Sequence, residues 1–148
     1  MAVAAAPRHY VLRTSWVIGE GKNFVRTMQQ LAAKGVSPSV VDDQVGRLTF
    51  TEELARATAH LVGTEAAYGV YNVSNGGAPR SWADIAKQVY ELSGRSADDV
   101  TPVTTEAYYA GQDGLSPRPL HSVMDLSKIE ATGFEPEDAT AALERYLS

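Results

Sequence analysis

Between Tyr10 and Val25 the chain commits itself to one kind of architecture. The apolar run Tyr10-Val11-Leu12 predicts a buried strand within His9–Thr14. The polar segment that follows, Arg13-Thr-Ser-Trp-Val-Ile-Gly19, turns through Gly19 and Gly21 and reaches Asn23. Asn23 is a natural helix start, because its side chain can accept from the orphan amides of a first turn. A strand that ends in a polar cluster, turns on glycines and opens a helix is the usual layout of a cleft in an open α/β sheet. Ligands there lie past the carboxyl ends of strands, near helix N-termini.

The rest of the sequence alternates the same two elements. Phe24, Val25, Met28, Leu31 and Ala32 form one apolar stripe, which predicts a helix over 23–34 that Gly35 stops. Ser39-Val40-Val41 reads as a short strand, and Asp42-Asp43-Gln44-Val45-Gly46 as a polar loop. Thr49-Phe-Thr-Glu52 fits a capping box and predicts a helix with Leu54, Thr58, Leu61 and Val62 inward. Gly69–Ser74 is strand-like, and Asn75-Gly76-Gly77 is a turn signal. Ser81-Trp-Ala-Asp84 is a second capping box, opening a helix that buries Trp82, Ile85, Ala86, Val89 and Leu92 and ends at Gly94. Val100–Val103 reads as a strand and Glu106–Leu120 as a long loop. A loop that long in a compact domain is usually functional. Asp125 is expected to cap a short helix ending at Gly133, and a last helix is expected over Asp138–Leu147.

Alternating strands and helices imply an α/β fold. The strands are few and short, and only the first resembles the centre of a parallel sheet. The chain therefore reads as part of a larger α/β protein, one main-sheet strand joined to a helix-rich lobe. The alanine-rich start, Ala2–Ala6 before Pro7, reads as the tail of a helix whose body lies upstream.

Composition narrows the chemistry. The 148 residues carry a net charge of −5, which disfavours nucleic acid or an anionic membrane as the main partner. With no cysteine, a disulfide scaffold, a thiolate zinc site and a cysteine nucleophile are excluded. No apolar run approaches the ~18 residues of a membrane span, and a cytoplasmic location is the default expectation. His9, His60 and His121 lack ligand spacing, so no metal site is predicted. Neither a Gly-x-Gly-x-x-Gly turn nor a Gly-x-x-x-x-Gly-Lys loop is present.

Five positions stand out. Trp16 follows a strand end and could stack on a sugar or base, or simply pack. Asn23 could face a phosphate, cap its helix, or do both. Gln44 and Gly46 sit in the loop after the second strand, with an ordinary turn as the alternative. Arg118, before Pro119, suits a diphosphate or is a surface arginine. Asp42-Asp43 reads as paired carboxylates or as a solvated, hydrogen-bonded turn.

Taken in order, Arg13-Thr-Ser-Trp-Val-Ile-Gly19, Asn23-Phe24-Val25, Val40-Val-Asp-Asp-Gln44-Val-Gly46, Gly69-Val-Tyr-Asn-Val-Ser74 and Arg118-Pro119 closely resemble the C-terminal half of dTDP-4-dehydrorhamnose reductases. These are extended short-chain dehydrogenase/reductases, and the likeness covers nearly the whole chain. The resemblance implies a partial Rossmann-type fold spanning residues 1–148, with the N-terminal NAD(P)-binding domain lying outside this chain. It implies NADPH-dependent (or NADH-dependent) reduction of a dTDP-linked 4-keto-6-deoxy sugar by the full-length protein, in dTDP-L-rhamnose biosynthesis. It places Trp16 beside the sugar, Asn23, Phe24, Gln44 and Gly46 around the substrate, and Arg118 toward the nucleotide. Thr14 and Ser15 fall near the nicotinamide.

The family's catalytic Tyr-x-x-x-Lys has no counterpart here, since none of the seven tyrosines has a lysine four residues on. No catalytic residue is therefore expected within these residues, and the chain alone is expected to be inactive, to hold no cofactor and to self-associate through its exposed strand. Two departures stand out. Leu48 precedes Thr49 where the family often has proline. Glu52 matches one glutamate of a dimer-bridging magnesium found in some members, but no metal is predicted. A non-enzymatic module like the methionine adenosyltransferase β-subunit is the alternative, and a sugar-nucleotide epimerase explains Trp16 and the Asp-Gln-x-Gly loop less well.

Overall fold

The computed structural model describes residues 6–111, 116 and 118–148. The alanine tail up to Ala5 and most of the tip of the long loop lie outside the described residues. The architecture is mixed α/β, as expected. Backbone contacts divide the chain into two units: 1–19, 47–78 and 124–142, and 20–46, 79–123 and 143–148.

In the first unit, β1 (Tyr10–Arg13) pairs in parallel with β6 (Gly69–Asn72), Tyr10 opposite Gly69. A second parallel pair joins β2 (Val17–Ile18) to β5 (Thr49–Phe50). Helix α2 (Thr51–Gly63) and the short α5 (Ser127–Glu130) close the core of this unit. Ala57, Leu61, Tyr71, Val73, Leu126, Ile129 and Phe134 are buried there, with Tyr10 and Leu12 of β1 packed against them. Burying each large apolar side chain stabilises by about 1.5–3 kcal/mol.

Helix α2 departs from its sequence reading at both its start and its face. Thr49 does not cap it. The residue lies in β5 and spends its hydroxyl on the Ser15 carbonyl, 2.7 Å away. The helix begins at Thr51 from an extended Phe50, with no side-chain cap. Its buried stripe is Glu53, Ala57 and Leu61. Thr58 is exposed and Val62 is 61% exposed, since Leu54 and Leu61 are compatible with either of two adjacent stripes. Helix α5 stops at Glu130, short of Gly133, and starts after Leu126, while Asp125 accepts from the Ser127 amide at 2.9 Å.

The connections of this unit are fastened by buried polar side chains. Asn75, fully buried, accepts from the Phe50 amide at 2.9 Å and donates to the Glu137 carbonyl at 3.1 Å. Glu53, 1% exposed, accepts from the Glu137 amide at 3.0 Å and pairs with Arg56. At Gly19 a β-carbon would stand 2.6 Å from Thr51 Cγ2, so only glycine allows that approach.

In the second unit, β3 (Ser39–Val41) pairs in parallel with β8 (Thr101–Val103). Residues expected as loop form a further strand, β4 (Val45–Gly46), antiparallel to β7 (Arg80–Ser81). Helix α1 (Phe24–Ala33) packs on α3 (Trp82–Leu92), which also covers β3. Both helices start as their sequences predict. Asn23 accepts from the Arg26 amide at 3.0 Å, and Ser81 and Asp84 form a reciprocal capping box. The buried face of α3 is Ala83, Ile85, Ala86, Gln88, Val89 and Tyr90. Leu92, read as inward, is 45% exposed, and Trp82 is half-buried. The start of the expected long loop is instead helix α4 (Thr105–Tyr109), capped by Thr104, whose hydroxyl accepts from the Ala107 amide. Helix α6 (Ala139–Leu147) begins in the first unit and ends in the second. No described helix is long and apolar enough to cross a membrane.

Replacing Asn75 with alanine orphans the Phe50 N–H and the Glu137 carbonyl in a dry site. The expected loss is about 2–3 kcal/mol in chemical denaturation. A loss under half that size would show that both groups find other partners.

Candidate functional site

The second unit contains a hollow of about 200 Å³. Phe24, Trp82, Tyr108 and Tyr109 line it with aromatic surface, and Met28, Val40 and Val41 add apolar surface. Ser39 and Gln44 are its polar lining. The volume suits one ring system and falls short of the ~300–1,000 Å³ of a complete small-molecule site.

Local sequence explains how the walls are held. Phe24 and Trp82 are each the first residue of a helix whose cap is a side chain. Asn23 fixes the start of α1, and the Ser81–Asp84 box fixes the start of α3. The two rings meet with centroids 4.5 Å apart at 55°. Asn23 also donates to the Tyr146 hydroxyl at 2.9 Å, and Arg26 reaches the same oxygen at 3.2 Å with its guanidinium over the tyrosine ring. The N-terminus of α1 is thus tied to the last turn of α6. Tyr108 and Tyr109 stand edge to face, centroids 5.0 Å apart.

The polar edge is a short relay. Gln44, 7% exposed, donates from Nε2 to Thr105 Oγ1 at 3.0 Å. Thr105 donates its hydroxyl to Asp43 Oδ1 at 2.5 Å, and its amide lies 2.9 and 3.0 Å from the two carboxylate oxygens. The Thr105 hydroxyl, helped by the amide, holds the Asp43 carboxyl below its usual range against the opposing effect of burial. Asp43 is therefore a hydrogen-bonded turn anchor. Of the two readings of Asp42-Asp43, the hydrogen-bonded turn is the one that describes Asp43.

The remaining candidates divide between the units. Phe24 and Gln44 line the hollow; Trp16 and Arg118 do not. Gly46 is buried in β4, opposite Arg80. Arg118 is exposed, two residues before Leu120, whose carbonyl accepts from the Val45 amide at 2.8 Å. In the first unit, Thr14 is exposed and Ser15 half-buried. Trp16 has φ +49°, a left-handed conformation uncommon for a bulky residue. Thr49 holds that corner from both sides, its amide on the Trp16 carbonyl at 3.0 Å and its hydroxyl on that of Ser15. His60 bonds Thr132 from the flank of α2, and His121 is exposed. Among the described residues no cluster of His, Asp and Glu could hold a metal.

Sequence reasoning missed Trp82, Tyr108, Tyr109 and Thr105 as parts of the site. Trp82 was assigned to the core from its place on the apolar stripe. Thr105 lay one residue before the segment read as a loop. A Thr-Thr-Glu start at Thr104 was the available signal for α4.

The second unit thus presents an aromatic hollow with an amide at its edge, on a mixed α/β scaffold. The RmlD substrate binding domain matches residues 1–148, and the chain belongs to that family. It is 40% identical over 138 residues to the spore coat polysaccharide biosynthesis protein SpsK of Bacillus subtilis, covering 93% of this chain and 46% of that protein. It is 34% identical to the dTDP-4-dehydrorhamnose reductase of Aggregatibacter actinomycetemcomitans, covering 97% and 51%. The crystal structure of a dTDP-4-dehydrorhamnose reductase from Clostridium acetobutylicum superposes with a TM-score of 0.84 at 34% identity, over 97% of this chain and 49% of that one. The Bacillus anthracis reductase in complex with NADP gives 0.79 at 31% identity, over 93% and 47%. The chain spans about half the length of the relatives it matches.

Asp43 has a folded pKa below its ordinary value. Its contribution to stability is therefore complete above the usual carboxylate pKa of about 4 and is lost as pH falls through the lower, folded value. Thermal melts from pH 6 down to pH 2.5 should show a shallower acid-side decline for Asp43→Asn than for the parent. Parallel curves would remove Asp43 from the linkage.

Proposed function

We propose that this chain is the substrate-binding portion of an NADPH-dependent dTDP-4-dehydrorhamnose reductase, and that the hollow of its second unit takes the nucleotide's base. The observation that carries this reading is the aromatic slot closed by Phe24 and Trp82, with Gln44 at its edge. Stacking on aromatic faces contributes about 1–3 kcal/mol per base, and an amide supplies the hydrogen bond that orients it. Asn23 and Gly46 then act by fixing the walls, the first as helix cap and the second within the β4 ladder. Arg118 is assigned to the diphosphate, because an exposed guanidinium fits bidentate contact with phosphate oxygens. Trp16 is assigned to the sugar, and Thr14 and Ser15 to the nicotinamide side.

No cradle for the dinucleotide is assigned to the described residues. The N-termini of α1 and α3, which could meet a pyrophosphate, are closed by their own side-chain caps. No proton or hydride step is therefore assigned to this chain. On this reading the NADP-binding half and the catalytic Tyr-x-x-x-Lys pair belong to other residues of the full reductase. The isolated chain mixed with NADPH and the dTDP-4-keto-6-deoxy sugar should leave the absorbance of the reduced nicotinamide unchanged. Turnover by the purified chain contradicts this assignment.

Titration calorimetry with thymidine 5′-diphosphate tests the base site. Phe24→Ala and Trp82→Ala should each weaken binding about tenfold or more, while substitution of the exposed Val62 leaves it unchanged. Equal affinities across the three variants would remove the hollow from consideration.

A further inference from the structure

We infer that Asp43 and Thr105 fix the hydrogen-bonding polarity of Gln44, so that the hollow selects a ring bringing an N–H donor, as the imide of thymine or uracil does. This deepens the base-site reading above and rests on it.

An ionised carboxylate only accepts. Asp43 therefore accepts the single hydroxyl proton of Thr105, at 2.5 Å, along with the Thr105 amide. Thr105 Oγ1 then has only lone pairs to offer its other neighbour. The Gln44 atom 3.0 Å away must be the NH₂ group. Turning the amide over would set Oε1 against Oγ1, two acceptors with no proton between them. Oε1 is therefore fixed on the other side of the amide plane. Among the described residues it accepts no hydrogen bond, and no buried side-chain oxygen is without a partner. It is accordingly open, in a residue that lines the aromatic hollow. A lone acceptor in apolar surroundings admits a donor readily. Against a ring edge with no donor, it stays desolvated and unpaired. Asp43 and Thr105 are positioning residues in this scheme, and Gln44 is the group that meets the ligand.

Binding of thymidine 5′-diphosphate is to be compared with that of its 3-deaza analogue, which has the same shape but carries C–H in place of the imide N–H. The 148-residue chain should bind the analogue at least about tenfold more weakly. Thr105→Val should bring the two affinities together, because the freed amide can turn over. Thr105→Ser should restore the preference. A purely structural role for Thr105 would weaken both ligands equally and leave their ratio intact, which overturns the inference. Equal affinities in the parent chain overturn it as well, while leaving the base site standing. If thymidine 5′-diphosphate does not bind at all, the base-site reading fails and this inference fails with it. A ligand-free check uses the Gln44 side-chain amide in a ¹⁵N spectrum. One proton should be shifted and slow to exchange in the parent, and Thr105→Val should abolish this. An unchanged signal counts against the relay.

Discussion

The side-chain amide of Asn75 is the tie on which the first unit depends. Each ladder among the described residues has two strands, and a two-stranded pair is marginal by itself. Something other than ladder hydrogen bonds must join the pairs. Asn75 lies just past β6 and holds the first residues of α2 through Phe50 and the approach to α6 through Glu137. Glu53 repeats the second tie from the helix side. These bonds are made in a dry interior, where an unmade partner is expensive, so the connection is specific as well as stabilising. Thr49 then passes the fixed position of β5 to the Ser15–Trp16 corner and supports the left-handed backbone at Trp16.

The second unit solves the same problem with different residues. Its helices are placed by local caps, and its site is placed by two contacts between distant segments. Tyr146 secures the start of α1, and Thr105 joins the end of β3 to the start of α4 through Asp43 and Gln44. The capped residues Asn23 and Ser81 each put an aromatic ring at the first position of a helix. Those rings meet as one aromatic wall because α1 packs on α3. Capping chemistry, normally a matter of helix stability, here also places the lining of a hollow.

What could be read from the sequence follows the range of the interactions. The start of α1, the Ser81–Asp84 box, β3 and β8 were legible, because their signals lie within a few residues of the element they define. Thr49 misled because a capping pattern is local, whereas its hydroxyl is claimed by Ser15, 34 positions away. Glu53 lies in the first turn of α2, but its buried partner is Glu137, 84 residues on. Within the site, Gln44 was legible from its loop and Phe24 from family likeness, while Trp82 was hidden by its place on an apolar stripe. The Asp43–Thr105 contact spans 62 positions, and nothing near either residue announces it.

The division of polar labour between the units bears on how such a lobe could evolve. A slot whose walls are helix N-termini tolerates changes of aromatic residue, since the caps fix the backbone whichever ring is presented. Its polar edge is far less tolerant. Gln44 is useful only while Thr105 accepts from it, and Thr105 accepts only while Asp43 takes its proton. Loss of Thr105 or of Asp43 leaves an amide that can face either way, and an amide of undefined polarity cannot discriminate between rings of the same shape. On the proposed base-site reading, shape selection is therefore distributed over four aromatic side chains, whereas polarity selection is concentrated in a chain of three residues in series.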